Sequence, residues 1–535
     1  MSLRFIYGRA GCGKSRYCVE AIKKRLEEGE TKPLILVVPE QFSFQAEKSV
    51  VEEVRGTGII NVEVTSFGRM AYRIFNEVGG ATRNHMDSSG KLMLVFSIMN
   101  RIKDELKVFA ASADQQGFVN TISDIITEFK RYDINPEILK SSLDLIEESE
   151  LLKDKLSDIT RIFEEFEESL HRNYIDNEDE LSLLYEKIDE SSMFDGAEIW
   201  LDEFNSFIPQ QYKIIEKLLR KAKRVNVTLC MDYYREIDST DVFAPIKSTE
   251  EKLVKLAQEN SFAIDRPVIL NNSCMDRFKD NDEIRFLEAN YFKYPYKPYM
   301  DDTSDIKIIR GLNLYSEVEN VAREIIKFSR EEGLRFKDIA VISRDLGAYE
   351  KIIKTIFDEY EIPYFIDKKK EIDDNPLIIL ITSAIDIFNK NWSYESVFRY
   401  LKSGLINISK EDIDLLENYV MAYGIRGKNK WNSDWEYGSE ELSEKVNSIR
   451  LKTIEPLMKF GSKLKGKKKA EEICLALYNF LCEVGANETI ESWVDKFKEE
   501  GNQALAKEYS QIWNMVIELL DQVVEIFKED KLELK

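Results

Sequence analysis

"LRFIYGRAGCGKSRYCVEAI", Leu3 to Ile22, runs from an apolar stretch through glycines into a segment of helical periodicity. Leu3–Tyr7 reads as a short buried strand. Ser15–Glu28 reads as a helix with Tyr17, Cys18, Ala21, Ile22 and Leu26 on its apolar face. Between them Gly8, Arg9, Ala10, Gly11, Cys12, Gly13, Lys14 and Ser15 fit G-x-x-x-x-G-K-[ST] in the strand–loop–helix setting the motif requires. Glycines let the backbone curl so that successive N–H groups point inward at phosphate oxygens, with the positive end of the helix behind them. Lys14 would then reach the β- and γ-phosphates of ATP, and the Ser15 hydroxyl would ligate Mg2+. The rival reading, an ordinary glycine-rich turn, leaves the paired Lys and Ser unexplained.

A phosphate loop of this kind needs an acid at the carboxyl end of another parallel strand. "GAEIWLDEFNSFIPQQ", Gly196 to Gln211, supplies one: a strand Glu198–Leu201 ends in Asp202 and Glu203. Asp202 is the metal candidate, and Glu203 would orient or deprotonate an attacking water. An acidic pair after an apolar run is common by chance, so the pair takes its meaning from the loop.

The chain has 535 residues, enough for about three or four domains. With 43% hydrophobic and 33% charged residues and no apolar run of bilayer length, it reads as a cytoplasmic, non-membrane protein without a secretory leader. The six cysteines, Cys12, Cys18, Cys230, Cys274, Cys474 and Cys482, form no C-x-x-C pair and no spacing with histidine suited to a metal. His85 and His171 stand isolated among polar residues and read as surface positions. A net charge of −22 excludes a protein that coats nucleic acid over its whole surface, while leaving room for a basic groove.

Several ordered stretches carry a family resemblance. They are "YGRAGCGKS" (Tyr7–Ser15), "LILVVPEQFSFQAEKSV" (Leu34–Val50), "VEVTSFGRMAYRIF" (Val62–Phe75), "GFVNTISDIITEFKRYDINPE" (Gly117–Glu137), "IWLDEFNSFIPQQ" (Ile199–Gln211) and "EVENVAREIIKFSREEGLRFKDIAVISRD" (Glu317–Asp345). Together the set resembles the AddB family, the B subunits of bacterial AddAB ATP-dependent helicase/deoxyribonucleases, over nearly the whole chain. The resemblance implies a repair subunit that processes double-strand DNA ends for homologous recombination beside an AddA-like motor and nuclease subunit, handling single- and double-stranded DNA. It implies RecA-like parallel sheets with helical insertions, in a UvrD-type helicase arrangement. It also implies a carboxyl-terminal nuclease domain with an iron-sulfur cluster, expected only beyond Lys535, so that this chain matches roughly the first half of such a polypeptide.

By the same resemblance, Pro39, Gln41, Thr65, Ser66 and Phe67 fall where UvrD-type helicases place loops along single-stranded DNA. Hydroxyls and amides there would bond phosphates and Phe67 would stack on a base, although turn and core roles fit these residues equally. Arg277 is the candidate for a phosphate-contacting arginine, with a surface role as its rival. Three departures favour grip over motor. The strand starts at Leu3, leaving no room for the adenine-reading glutamine; "VNVTLCMDYYRE" (Val225–Glu236) ends in Asp232 without the γ-phosphate-sensing glutamine; and the last motor motifs would lie beyond Lys535. Against them, a glycine often stands in the family where this chain has Glu203, so a catalytic base is available here. The main reading is a nucleotide- and DNA-binding scaffold or recognition subunit. The alternatives are an autonomous ATP-driven single-stranded DNA translocase and, from another class, a small-substrate P-loop kinase.

The expected domains are residues 1–75 plus 196–292 for the first RecA-like domain, 80–192 for a helical insertion, 305–375 for a partial second RecA-like domain and 376–535 for a second helical insertion. Strands are expected at "IKIIRGL", "IAVISR" and "IPYFI", with helices at Ser316–Glu331 and Tyr349–Tyr360. "NYFKYPYKPYM" (Asn290–Met300) reads as a linker whose tyrosines either dock on domains or stack on bases. "KLKGKKKAEE" (Lys463–Glu472) is the most basic run and reads either as a solvated loop or as a DNA-facing patch.

Overall fold

The computed structural model describes residues 1–54, 61–79, 84–113, 115–143, 145, 149–270, 276–367, 372–528 and 531–533; the side chains of 84–85, 171–178 and 276 are also outside it. The expectations for Cys274 and for the His85 and His171 side chains therefore lie outside the described residues. Contacts group the chain into two units: Met1–Thr65, Phe194–Ser206 and Leu219–Lys370 form the first, and Ser66–Met193, Phe207–Leu218 and Glu371–Lys535 the second.

In chain order the strands that matter are β1 (Ser2–Tyr7), β2 (Leu34–Val37), β3 (Val62–Thr65), β4 (Asn84–Met86), β5 (Tyr174–Asp176), β6 (Glu198–Leu201), β7 (Arg224–Leu229), β8 (Ala263–Ile264) and β9 (Val268–Ile269). In the first unit they build one parallel sheet in the order β3-β2-β6-β7-β1-β8, with β9 also beside β1. Its inner strands are unbroken apolar runs, "LILV" in β2 and "EIWL" in β6, buried throughout as a sheet covered on both faces requires. Helix α1 (Lys14–Glu27) lays Cys18, Val19 and Ile22 against Ile6, Leu36 and Trp200. Each such aliphatic side chain contributes about 2 kcal/mol on burial. Glu198, only 4% exposed, stays charged at the amino edge of the sheet because Arg25 Nε (2.9 Å) and Arg224 Nη1 (3.4 Å) meet its two oxygens. The protein is thus α/β with a mainly parallel sheet and many helices, consistent with a RecA-like fold.

The helices expected near 316–331 and 349–360 form, at Leu314–Glu331 and Leu346–Glu359, and pack through Val318, Ala322, Ile325, Ile353, Ile356 and Phe357. The strands expected beside them do not: 306–312, 339–344 and 362–366 run without strand pairing among the described residues. Ile308, Ile342 and Phe365 are 97%, 93% and 89% exposed. Apolar, β-branched text sets a propensity, but a strand needs a ladder partner, and these segments have none to satisfy their backbone groups. In the linker, Tyr294 and Tyr296 are exposed, while Tyr299 packs on Phe286 with ring centroids 5.0 Å apart.

The second unit is helical apart from short strand pairs, one of which joins β4 to β5. One core gathers Val95, Ile98, Ile122, Ile126, Phe163 and Phe166; another fills residues 377–516. Asp158, 3% exposed, accepts hydrogen bonds from the N–H groups of Lys107, Val108 and Phe109, fixing the turn after the helix Ser88–Arg101. No helix among the described residues is long and apolar enough to cross a membrane.

Candidate nucleotide-binding site

Because every pairing in the sheet is parallel, the carboxyl ends of its strands share one edge. The registers Tyr7↔Leu229 and Val37↔Leu201 set Gly8, Asp202 and Cys230 along it, with β7 between β1 and β6. The chain leaves β1 at Gly8 and curls: Gly11 and Gly13 take φ of 80° and 81°, values that a side chain disfavours. The Gly13 carbonyl then accepts from Tyr17 N at 2.8 Å as α1 begins.

The chemistry-bearing side chains converge here and hold one another. Lys14 Nζ folds back to donate to the Arg9 carbonyl at 3.1 Å. Ser15 Oγ donates to Glu203 Oε1 at 2.8 Å. Asp202, 3% exposed, accepts from Thr228 Oγ1 at 2.6 Å, so β7 orients the carboxylate of β6. A cavity of about 530 Å3 opens beside them, lined by Ser15, Asp202, Glu203 and Arg277 and, towards the helix Ser43–Glu53, by Gln45 and Ser49. One hydroxyl and two carboxylates make a hard, all-oxygen donor set that suits magnesium, which keeps several waters and takes further ligands from substrate phosphates. The residues present therefore fit the ion that the loop implies.

Other expected residues sit differently. Arg9 turns its side chain away from the loop: it is 6% exposed, donates from Nε to Glu288 Oε1 at 2.9 Å, lies 4.0 Å from Asp232 and stacks on Phe243. Its contribution to a phosphate would come from its backbone alone. Arg277 is exposed, and a Cβ added at Gly11 would stand 3.3 Å from Arg277 Cβ and 2.8 Å from the Phe278 ring, so this segment approaches the crown of the loop. Burial pushes the Cys12 thiol above its usual pKa, leaving it a neutral spacer. Glu203 has φ 67°, a left-handed conformation natural to the glycine expected at this position.

Of the DNA-binding candidates in the first unit, Pro39 follows β2, Gln41 is exposed in the turn after it, and Thr65 is 2% exposed with its carbonyl accepting from Val38 N. In the second unit Ser66 caps the helix Phe67–Val78 by accepting from Arg69 N, and Phe67, 5% exposed, sets its ring edge against Phe207. Sequence reasoning missed Thr228 and Glu288, whose roles depend on partners far along the chain. It also passed over Phe44, beside Gln41 and 79% exposed, whose aromatic ring was the available signal.

The family model described as "ADDB, N-terminal" matches residues 5–288. The chain is 70% identical over 535 residues to the B subunit of the ATP-dependent helicase/deoxyribonuclease of Clostridium novyi (strain NT), covering 100% of this chain and 47% of that protein. It is 52% identical over 551 residues to the protein of the same name from Clostridium botulinum (strain Loch Maree / Type A3), covering 100% of this chain and 48% of that one. The chain spans about half the length of the curated relatives it matches. With more than half of its residues inside the family match, the chain belongs to the AddB family, in the amino-terminal region that the match describes.

Proposed function

We propose that the first unit binds a magnesium nucleoside triphosphate, ATP in the simplest case, between Gly8–Ser15 and Asp202–Glu203, and that the chain grips nucleotide and DNA as the helicase-like part of an AddB-type polypeptide. The contact of Ser15 with Glu203 at 2.8 Å carries this reading, since it joins the loop hydroxyl to the acid pair across 188 residues. Backbone N–H groups of the loop and Lys14 would hold the phosphates, Ser15 and Asp202 the metal's coordination sphere, and Arg277 the outer phosphate. When bound, magnesium supplies charge neutralisation for the phosphates. The names of the relatives support a setting in DNA repair and recombination, within a helicase-nuclease that holds an AddA-like partner subunit and takes single- and double-stranded DNA. A UvrD-type arrangement belongs to the same proposal, with residues 1–75 plus 196–292 as its first RecA-like domain, 305–375 as part of a second, and 80–192 and 376–535 as insertions.

Grip rather than drive is favoured at Asp232. A γ-phosphate sensor must donate a hydrogen bond, and an ionised carboxylate only accepts; Asp232 takes one from Tyr234 N and faces Arg9. Turnover of ATP by the whole chain is expected to stay below about 1 per second with or without single-stranded DNA, and phosphate released at tens per second on adding DNA would overturn the scaffold reading. The motor reading keeps one specific support, the carboxylate of Glu203 beside the metal site. Its left-handed backbone costs about 1 kcal/mol, offset in part by the bond to Ser15. Glu203→Gly is therefore expected to leave the melting temperature unchanged or slightly raised and nucleotide affinity within about threefold, while any residual turnover falls at least about tenfold. A loss of affinity in that variant would instead make Glu203 a metal holder.

A further inference from the structure

The second unit holds a cavity of about 310 Å3 that the nucleotide site does not use, lined among others by Asn391, Trp392, Lys428, Ser462, Lys465 and Gly466. Three chain segments meet there: the turn after the helix Pro376–Asn389, the start of the short helix Lys428–Asn432, and the end of the helix Glu440–Lys463 with the turn that follows. We propose that this cavity and the lysines around it bind the phosphodiester backbone of a polynucleotide strand.

Charge makes the case. Elsewhere in this acidic chain lysines stand beside carboxylates, as Lys402 does with Glu417 and Lys459 with Glu483, both at 2.6 Å. Around the cavity the pattern changes. Arg426, Lys428, Lys463, Lys465, Lys467, Lys469 and Lys531 have no carboxylate within ion-pair distance among the described residues, and Lys468 alone of this set reaches one, Glu472, at 3.3 Å. The short antiparallel pair Lys468–Lys469 with Lys531–Leu532 sets Lys469 directly opposite Lys531. Like charges in cross-strand register destabilise a pair unless an anion lies between or above them. Glu533, also lining the cavity, is the one acid at its edge and opposes an anion. Asn391 and Ser462 add uncharged polar side chains, and nearly buried Trp392 forms an apolar wall, where electrostatic attraction is stronger than in open water. A lone anion would need the cavity only. Unpaired cations continuing from it along 463–469 and onto Lys531 match a row of charges, as a strand of phosphates presents.

The test uses the 535-residue chain, a fluorescein-labelled single strand and the matching duplex, with anisotropy read between ~50 and ~200 mM salt. Lys428→Gln with Lys465→Gln is expected to weaken binding of at least one probe by about tenfold at the lowest salt, with a log–log salt slope shallower by about 2, and Lys452→Gln on the same helix as Ser462 to change neither. Lys469→Gln with Lys531→Gln is expected to weaken binding while raising or preserving the melting temperature, which separates lost contacts from lost folding. Glu533→Gln should tighten binding. Magnesium-nucleotide affinity, read in the same variants, should not move, so this site succeeds or fails apart from the Lys14 site. Wild-type affinity and slope for both probes in both double variants would overturn the proposal, as would complete displacement of both probes by inorganic phosphate at millimolar concentration, which would mark a free-anion site.

Discussion

Lys14→Ala is expected to lower magnesium-nucleotide affinity by at least about 100-fold, roughly 3 kcal/mol, without a measurable change in melting temperature. The asymmetry follows from what the ammonium does in each state. Without nucleotide, Lys14 Nζ donates to the Arg9 carbonyl at 3.1 Å from a half-exposed position, a neutral-acceptor bond worth about 1 kcal/mol net that water replaces. With nucleotide bound the same group would face phosphate charge at the mouth of a loop whose other donors are backbone N–H groups, and charge-assisted bonds there are about twice as strong as neutral ones. Arg9→Ala makes the contrasting variant: its guanidinium packs on Glu288 and Phe243, so its loss should cost stability first and affinity second. Titration calorimetry with a non-hydrolysable nucleotide, beside thermal melts of both variants, checks the pair. Affinity within threefold of the unsubstituted chain for Lys14→Ala would remove the phosphate loop from the nucleotide site.

How much of this was legible in the sequence depends on how local each signal is. The strand, curled loop and helix of Leu3–Ile22 were readable because glycines, Lys14 and Ser15 act within one short segment whose backbone they themselves shape. The strand ending at Asp202 was readable for the same reason. What orients these groups was not. Thr228 steadies Asp202 from a neighbouring strand and Glu288 draws Arg9 out of the loop across 279 residues, and no pattern in a single sequence pairs positions so far apart. The error at 306–312, 339–344 and 362–366 is of another kind: propensity identified apolar, β-branched segments, but a strand is a relation between two segments, and the described residues supply no second one. Thr65, Ser66 and Phe67 illustrate a third limit. Their residue types suit contact with nucleic acid, yet burial, decided by packing, sets them as core and cap in this arrangement.

Packing also supplies the other large effect, at Arg450. Replacing it by Met is expected to cost about 2–3 kcal/mol and by Ala about 3–5 kcal/mol, the difference being the cavity left by the aliphatic stem. Arg450 is 1% exposed in the middle of the helix Glu440–Lys463. It donates to the Trp431 carbonyl at 2.8 Å and to Asn447 Oδ1 at 2.9 Å, reaches Asp434, and lies against the Trp435 ring. Burial pulls its pKa down, with Asp434 opposing that shift, so the guanidinium is a desolvated cation held by its acceptors. Removing one member of a buried ion pair usually leaves an uncompensated charge, but here the survivor, Asp434, is 81% exposed and water takes it over. The cost must therefore come from the buried Trp431 carbonyl, left without its donor, and from lost packing on the indoles. Asp434→Asn is accordingly expected to cost under about 1 kcal/mol, as exposed ion pairs do. Trp431 and Trp435 report locally, so the denaturant midpoint of tryptophan fluorescence should fall least for Asp434→Asn, further for Arg450→Met and furthest for Arg450→Ala, relative to the unsubstituted chain. Equal losses for Asp434→Asn and Arg450→Met would mean that the ion pair, and not the buried carbonyl, sustains this corner of the helical unit.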